Sequence, residues 1–219
     1  YQGGLIFYLN ILNGWGLISS LNDIHNKNWD CSSTDVVGSN GKAIGTGVQN
    51  TIETLADNCT NVGVTAAFTA CYDLDENGFN DWFLPSIGEL NEMYSKLHKR
   101  GYGDFNNGIV YGYWSSTERN YTSAFKIDFK TGKTASHTKY SIGGSQYVRP
   151  VRAFDNPKAW TPIQTRLDDG ETPFEIYAEE PGLIESVYGK QYEGGYIFYL
   201  NTEKTYGMVA ALEDIKQEK

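Results

Sequence analysis

Apolar residues recur at helical spacing in the middle of this chain and in short strand-like runs on either side of it. Gly4-Leu5-Ile6-Phe7-Tyr8-Leu9-Asn10 and Trp15-Gly16-Leu17-Ile18-Ser19 predict a β-hairpin. Gly-rich turns at 38–47 follow. Val48, Ile52 and Leu55 then fall one helical turn apart, predicting a short amphipathic helix over 47–57, and 66–74 predicts a second. The clearest helix covers 86–99. Ser86 and Glu89 have capping-box spacing, Leu90, Met93, Tyr94 and Leu97 form one stripe, and Gly101 follows the end. Strands are predicted at 112–116, 124–128, 133–137 and 147–153. Alternation in Phe125-Lys126-Ile127-Asp128-Phe129 implies one buried and one wet face.

The opening pattern returns. Tyr1 to Ile24 and Tyr192 to Ile215 align without gaps at an offset of 191, with 12 of 24 positions identical. Chance does not give that. The chain therefore reads as one complete unit, 1–154, and the truncated start of a second copy, 191–219, in a string of domains. Between them, 155–190 is punctuated by Pro157, Pro162, Pro173 and Pro181 and carries acidic clusters at Asp168-Asp169 and Glu179-Glu180. It reads as an inter-domain connector with a little local structure. The second hairpin lacks a counterpart of the strand at 148–154, so it is expected to fray or to pair with another strand edge.

Composition narrows the class. Aromatics reach 14%, with 16 Tyr, 5 Trp and 24 Gly, which favours short strands and Tyr-rich surfaces over a helical bundle. A net charge of -9 argues against a general nucleic-acid binder. No run of about 18 apolar residues is present, so no membrane span or direct insertion is expected. The chain opens inside a strand-like segment, as an excised piece of a longer protein would. Of Cys31, Cys59 and Cys71, the latter two are close enough to close a small loop; buried thiols are the alternative.

Candidate chemistry is thin. Asp73-Leu74-Asp75-Glu76-Asn77-Gly78 imitates the start of an EF-hand loop, but Leu84 stands where a bidentate Glu is required, so an Asx-rich turn is expected and no metal. Ser115, Ser116 and Thr117 have no nucleophile-elbow context, and His25, His98 and His137 have no ligand spacing. Gly38 to Ala43 lacks the ending of a phosphate loop. Arg149 and Arg152 are expected to pair with acids such as Asp81 or Glu89, with ligand contact the other reading. No enzyme and no cofactor are expected.

Three phrases remain: Asp81-Trp82-Phe83-Leu84-Pro85-Ser86, Trp114-Ser115-Ser116-Thr117 and Val148-Arg149-Pro150-Val151-Arg152-Ala153-Phe154. With Gly3 to Leu9, Ile44-Gly45-Thr46-Gly47 and Glu89-Leu90, they resemble the Lcl C-terminal domain family, named from a collagen-like adhesin. The resemblance implies an α+β, C-type-lectin-like fold related to the formylglycine-generating enzymes, with short antiparallel sheets, two or three helices, and first and last strands paired. It also implies an extracellular, cell-surface or virion-surface role. Some relatives are receptor-binding proteins diversified by retroelements between the second and third phrases. The enzyme relatives use reactive cysteines, and no close Cys pair occurs late in this chain.

In this chain that interval is polar. Glu118, Arg119, Asn120, Tyr121 and Thr122 are expected in a loop, with Lys126, Asp128, Lys130, Thr134, Ser136, Thr138 and Tyr140 on exposed strand sides or turns. Tyr and Arg supply contact area, and Ser, Thr and Asn adapt their hydrogen bonds. The leading expectation is a ligand-binding module for a cell-surface protein or glycan, with neighbouring repeats as further partners. A structural spacer repeat without its own ligand is the alternative.

Overall fold

The structure, a computed structural model, describes residues 1–29, 31, 34–57, 66–106, 108, 112–140, 146–156 and 158–213. Two compact units emerge, Tyr1–Trp160 and Thr161–Lys219.

The first unit mixes strands and helices. In chain order it contains β1 (Gly4–Asn10), β2 (Trp15–Ser20), β3 (Ile24–Lys27), α1 (Gly47–Ala56), α2 (Ala67–Tyr72), α3 (Ile87–Lys96), β4 (Tyr113–Asn120), β5 (Ser123–Asp128), β6 (Lys133–Thr138), β7 (Gln146–Val148) and β8 (Val151–Phe154). One sheet has the order β1-β2-β8 and the other β3-β7-β4-β5-β6. Among the described strands all pairings are antiparallel except β4 with β7, which is parallel at Tyr113 and Tyr147. The last strand closes on the hairpin through β2, not through the first strand: Gly16 faces Phe154 and Ser19 faces Val151.

The strand expected over 147–153 is two strands in two sheets. Proline has no N–H for a ladder. At Pro150 the chain leaves one sheet, and the Pro150 carbonyl accepts from the Ser20 N–H at 2.8 Å on its way into the other.

The inner strands of the five-stranded sheet are buried on both faces. Adjacent residues of a strand point to opposite sides. Tyr113 joins Ile127, Phe129, Leu90 and Met93 in one cluster, while Trp114 joins Ala124, Val148, Trp29 and Phe68 in another. Helix α3 starts on the expected capping box: the Ser86 hydroxyl accepts from the Glu89 N–H, and the Glu89 carboxylate accepts from the Ser86 N–H. Gly101, at φ 76°, ends the following 3-10 turn.

Buried charges tie the sheets to their surroundings. The Arg152 guanidinium donates to both carboxylate oxygens of Asp81, at 2.6 and 2.9 Å, as expected. Arg149 pairs instead with Asp23 at 2.6 Å. Glu89 has a different role. Its carboxylate accepts from the N–H groups of Gly45, Gly47 and Ser86, holding the turn before α1 against the start of α3.

Cys31 is disulfide-bonded, whereas Cys71 is a buried free thiol whose pKa is pushed up by desolvation. The expected Cys59–Cys71 loop is therefore overturned; Cys59 itself lies outside the described residues.

The second unit contains α4 (Ile163–Asp168), α5 (Pro173–Glu179), α6 (Ile184–Val187), β9 (Gln191–Tyr192), β10 (Gly195–Asn201) and β11 (Tyr206–Ala211). The stretch read from sequence as a connector thus carries three helices. Ile163, Leu167, Ile176, Leu183 and Val187 form a core with Ile197 and Leu200 of the hairpin. Thr172 and Glu175 make a second capping box, with Pro173 in the first turn. Arg166 is ion-paired with Glu171 and Glu179.

Burial raises the Glu89 pKa from its ordinary 4.5 to about 7, against the lowering effect of its hydrogen bonds. A carboxyl with a raised folded pKa keeps its proton longer in the native state, so its contribution to stability falls as pH rises between those two values. Urea unfolding of the native chain and of Glu89→Ala from pH 4 to 8 checks this. The stability gap between the two is expected to shrink from pH 4.5 to 7 and to level off above; a pH-independent gap would refute it.

Candidate ligand-binding surface

The segment singled out by its polarity is the β4-β5-β6 meander. Because both sheet faces are covered, little of the meander is free except its turns and the edge strand β6, whose residues are all at least partly exposed.

Glu118 is not on that surface. Its side chain is buried, ion-paired with the buried Lys139, and accepts from the Val36 N–H at 3.0 and 3.2 Å. Lys139 also donates to the Thr34 carbonyl at 2.6 Å and lies 4.7 Å over the Trp29 ring. Desolvation raises the Glu118 pKa, with Lys139 opposing it. This pair fastens the ends of β4 and β6 to the 34–36 backbone. It supports the surface from below.

Arg119, Asn120, Tyr121 and Thr122 are exposed at the β4–β5 turn, and Thr138 and Tyr140 are exposed beside it. Ser123 pairs with Thr138, and the Lys139 N–H donates to the Thr122 carbonyl at 2.9 Å, which brings the two ends together. Arg119 donates to the Ser136 hydroxyl at 2.8 Å. Asn120 shapes the turn: its side-chain oxygen accepts from the N–H and hydroxyl groups of both Thr122 and Ser123 at 2.8–3.1 Å. Arg119, Tyr121, Thr122, Ser136, Thr138 and Tyr140 therefore share one end of the meander.

The other candidates lie elsewhere. In the β5–β6 ladder Lys126 faces Ala135 and Phe125 faces Ser136, so Lys126 and Ser136 point to opposite faces. Lys126 is half-buried and donates to Gln146 at 2.9 Å; desolvation lowers its pKa, partly offset by Asp128. Asp128 accepts from the Lys130 N–H and the Thr131 hydroxyl, both at 2.8 Å, closing the β5–β6 turn. Desolvation opposes the effect, but the Thr131 and Lys130 hydrogen bonds hold its carboxyl below the usual range. Asp128 and Lys130 sit a strand's length from Tyr121, roughly 17 Å. The polar set is thus two groups and a buried pair, not one face.

Hydroxyls of the second phrase are fully engaged inside the fold. Ser115 donates to the Phe125 carbonyl at 2.8 Å, Ser116 accepts from Asn50 at 3.0 Å, and Thr117 donates to the Gly41 carbonyl at 2.7 Å. In the EF-hand-like stretch, Glu76 accepts from the Ser20 hydroxyl at 2.6 Å and from Asn22 at 2.9 Å, and Asn77 donates to the Gly3 carbonyl at 3.3 Å.

Sequence reasoning missed one concavity. A cleft of about 570 Å³ is lined by Asp23, His25, Asp104, Phe105, Asn106 and Arg149, among others. Most of its polar groups serve the fold. Arg149 donates to Asp23 and to the carbonyls of Ser20, Leu21 and Gly103, and its guanidinium lies 4.0 Å over Phe105. Tyr113 donates to the other Asp23 oxygen at 2.5 Å; burial and the Asp23 charge push its phenol up. Arg149 was visible in the third phrase. Asp23 stood 126 positions away with nothing local to connect them.

Removing Glu118 should leave Lys139 buried and unpaired, at a cost of about 3–5 kcal/mol. Glu118→Ala is expected to lower the unfolding free energy, read from urea titration, by that amount, and Glu118→Leu with Lys139→Met to recover much of it. A neutral Glu118→Ala would mean the pair is solvated in solution.

The model of the Lcl C-terminal domain matches residues 28–152. No curated protein matches the chain significantly. Among solved structures, a fimbrial protein from Bacteroides ovatus aligns with a TM-score of 0.39 and 18% identity. That alignment covers 62% of this chain and 35% of the fimbrial chain, so the chain spans well under two thirds of its length. The family match takes in β4 to β7, both buried sheet faces and the second and third phrases as far as Arg152. With more than half of its length matched, this protein belongs to the Lcl C-terminal domain family.

Proposed function

We propose that the first unit is a non-catalytic, C-type-lectin-like binding module of a bacterial surface or phage protein. Its ligand is a cell-surface protein or glycan, held at the meander end formed by Arg119, Tyr121, Thr122, Ser136, Thr138 and Tyr140. The observation that carries this reading is the contrast at that end. Exposed Tyr, Arg and hydroxyl groups stand on a turn whose base is pinned by the buried Glu118–Lys139 pair. A preorganised base lowers the ordering penalty of binding, and amphipathic rings supply area with few torsions to freeze. Tyr121 and Tyr140 stack on sugar rings or apolar side chains, while Arg119 and the hydroxyls set orientation. No metal or cofactor enters this reading.

A spacer role is favoured by one observation: the hairpin recurs within the chain with the same backbone pairing. The two readings separate experimentally. An array of glycans and protein ectodomains, probed with the whole chain, is expected to yield ligands whose capture falls at least tenfold in Arg119→Ala/Tyr121→Ala while the melting temperature stays unchanged. Equal capture by the double variant would remove this surface. Silence across the array would favour the spacer.

A further inference from the structure

The two hairpins form an internal comparison in which a half-identical sequence meets different surroundings. At the 191-residue offset their pairing is the same. Gly4↔Ser20, Ile6↔Ile18, Tyr8↔Leu17 and Asn10↔Trp15 become Gly195↔Ala211, Ile197↔Val209, Tyr199↔Met208 and Asn201↔Tyr206, with the irregularity after Ile6 reproduced after Ile197. The approach is the same too: Gln2 and Gly3 have φ 43° and 82°, and Glu193 and Gly194 have 46° and 80°.

Burial is inverted. Phe7 is 5% exposed and Phe198 56%; Ile6 is 41% exposed and Ile197 2%; Leu9 is 54% exposed and Leu200 7%. In the first unit the Phe7 side of β1 lies on the domain core, and the Ile6–Leu9 side is bare. In the second unit the Ile197–Leu200 side is covered by α4, α5 and α6, which precede the short β9 and then β10. The strand edge differs likewise. β10 is central, between β11 and β9, and Ile197 donates its N–H to the Lys190 carbonyl and accepts from the Gly189 N–H. β1 is an edge strand with β2 alone beside it.

We propose that the outer face and free edge of β1 are a docking site for a helical segment of the α4–α6 kind, joined to β1 as those helices are joined to β10. The repeating unit is then a small helical cap followed by its domain, with the boundary between Trp160 and Thr161. The occupant is specified by its chemistry. Five apolar anchors (the equivalents of Ile163, Leu167, Ile176, Leu183 and Val187) cover Ile6 and Leu9, and a short strand pairs with β1. Charge agrees with this. Lys96 and Arg100 line the groove of about 390 Å³ that contains Ile6 and Leu9, while the helical segment 161–191 is acidic overall, with seven Asp and Glu against Arg166 and Lys190. An uncovered apolar edge strand is an aggregation hazard that such a cap removes.

The experiment extends the existing chain by a duplicate of residues 161–191 placed directly before Tyr1. A length-matched duplicate carrying Glu at the positions of Ile163 and Ile176 is the control. The transition of the first unit is expected to rise by about 5 °C or more with the duplicate and not with the control. In the original chain Ile6→Glu should leave that transition unchanged, and in the extended chain it should abolish the gain. Amide exchange at Ile6 should slow only in the extended chain. Equal transitions with duplicate and control would overturn the proposal. So would sedimentation showing that the original chain dimerises and that Ile6→Glu makes it monomeric, since the occupant would then be a second copy.

Discussion

Everything in the first unit hangs on a buried guanidinium at the point where the closing strand changes sheets. Arg149 sits between β7 and β8, beside a proline that stops the ladder. Burying its charge is tolerable only because Asp23 pairs with it and three backbone carbonyls accept from it. Those carbonyls belong to Ser20, Leu21 and Gly103, so one side chain fixes the corner after β2 and the loop after α3. Tyr113 then takes the second Asp23 oxygen and brings β4 into the same network. Arg152, three positions later, does the same for the start of the first phrase through Asp81. The entry into the last strand is thereby held by two ion pairs, and from there β8 runs along β2.

A sheet buried on both faces leaves few places for recognition. The meander can present only its turns and its outer strand, and the two turns lie a strand apart. At one of them Asp128 spends its hydrogen bonds on closing the turn. At the other, Asn120 performs the closure and leaves Arg119, Tyr121 and Thr122 exposed around it. Rigidity under that end comes from Glu118, which the sequence reading takes for a solvent-facing group, and from its partner Lys139.

Legibility followed the range of the interaction. The α3 capping box, its apolar stripe and the terminal Gly101 are local patterns, and each forms as the sequence predicts. The Arg152–Asp81 pair was within reach because both residues stand in the phrases that carry the family resemblance. Long-range choices were not legible. Alternation tells which residues of β5 share a face but not which residues of β6 join them; that depends on ladder register, and the register puts Lys126 and Ser136 on opposite sides. Glu118 looked exposed because its partners, Lys139 and the Val36 amide, are supplied by other segments. The three helices at 163–187 escaped notice for a related reason. Interrupted by Pro173 and Pro181, their apolar residues form no continuous stripe, and they make sense only as a lid over another element.

A residue whose identity and backbone pairing are kept, yet whose burial is reversed, cannot have been selected for one environment. Ile6 and Ile197, or Phe7 and Phe198, are apolar on both sides of one strand, so the hairpin is built to be covered twice. A two-stranded ribbon does not hold itself together in water. It needs a layer on each face, and the chain exhibits each layer once: the domain core beneath β1 and the helical lid over β10. The hairpin is thus the shared middle layer of the repeat. Its shared pairing is the consequence of two different partners requiring the same strand geometry.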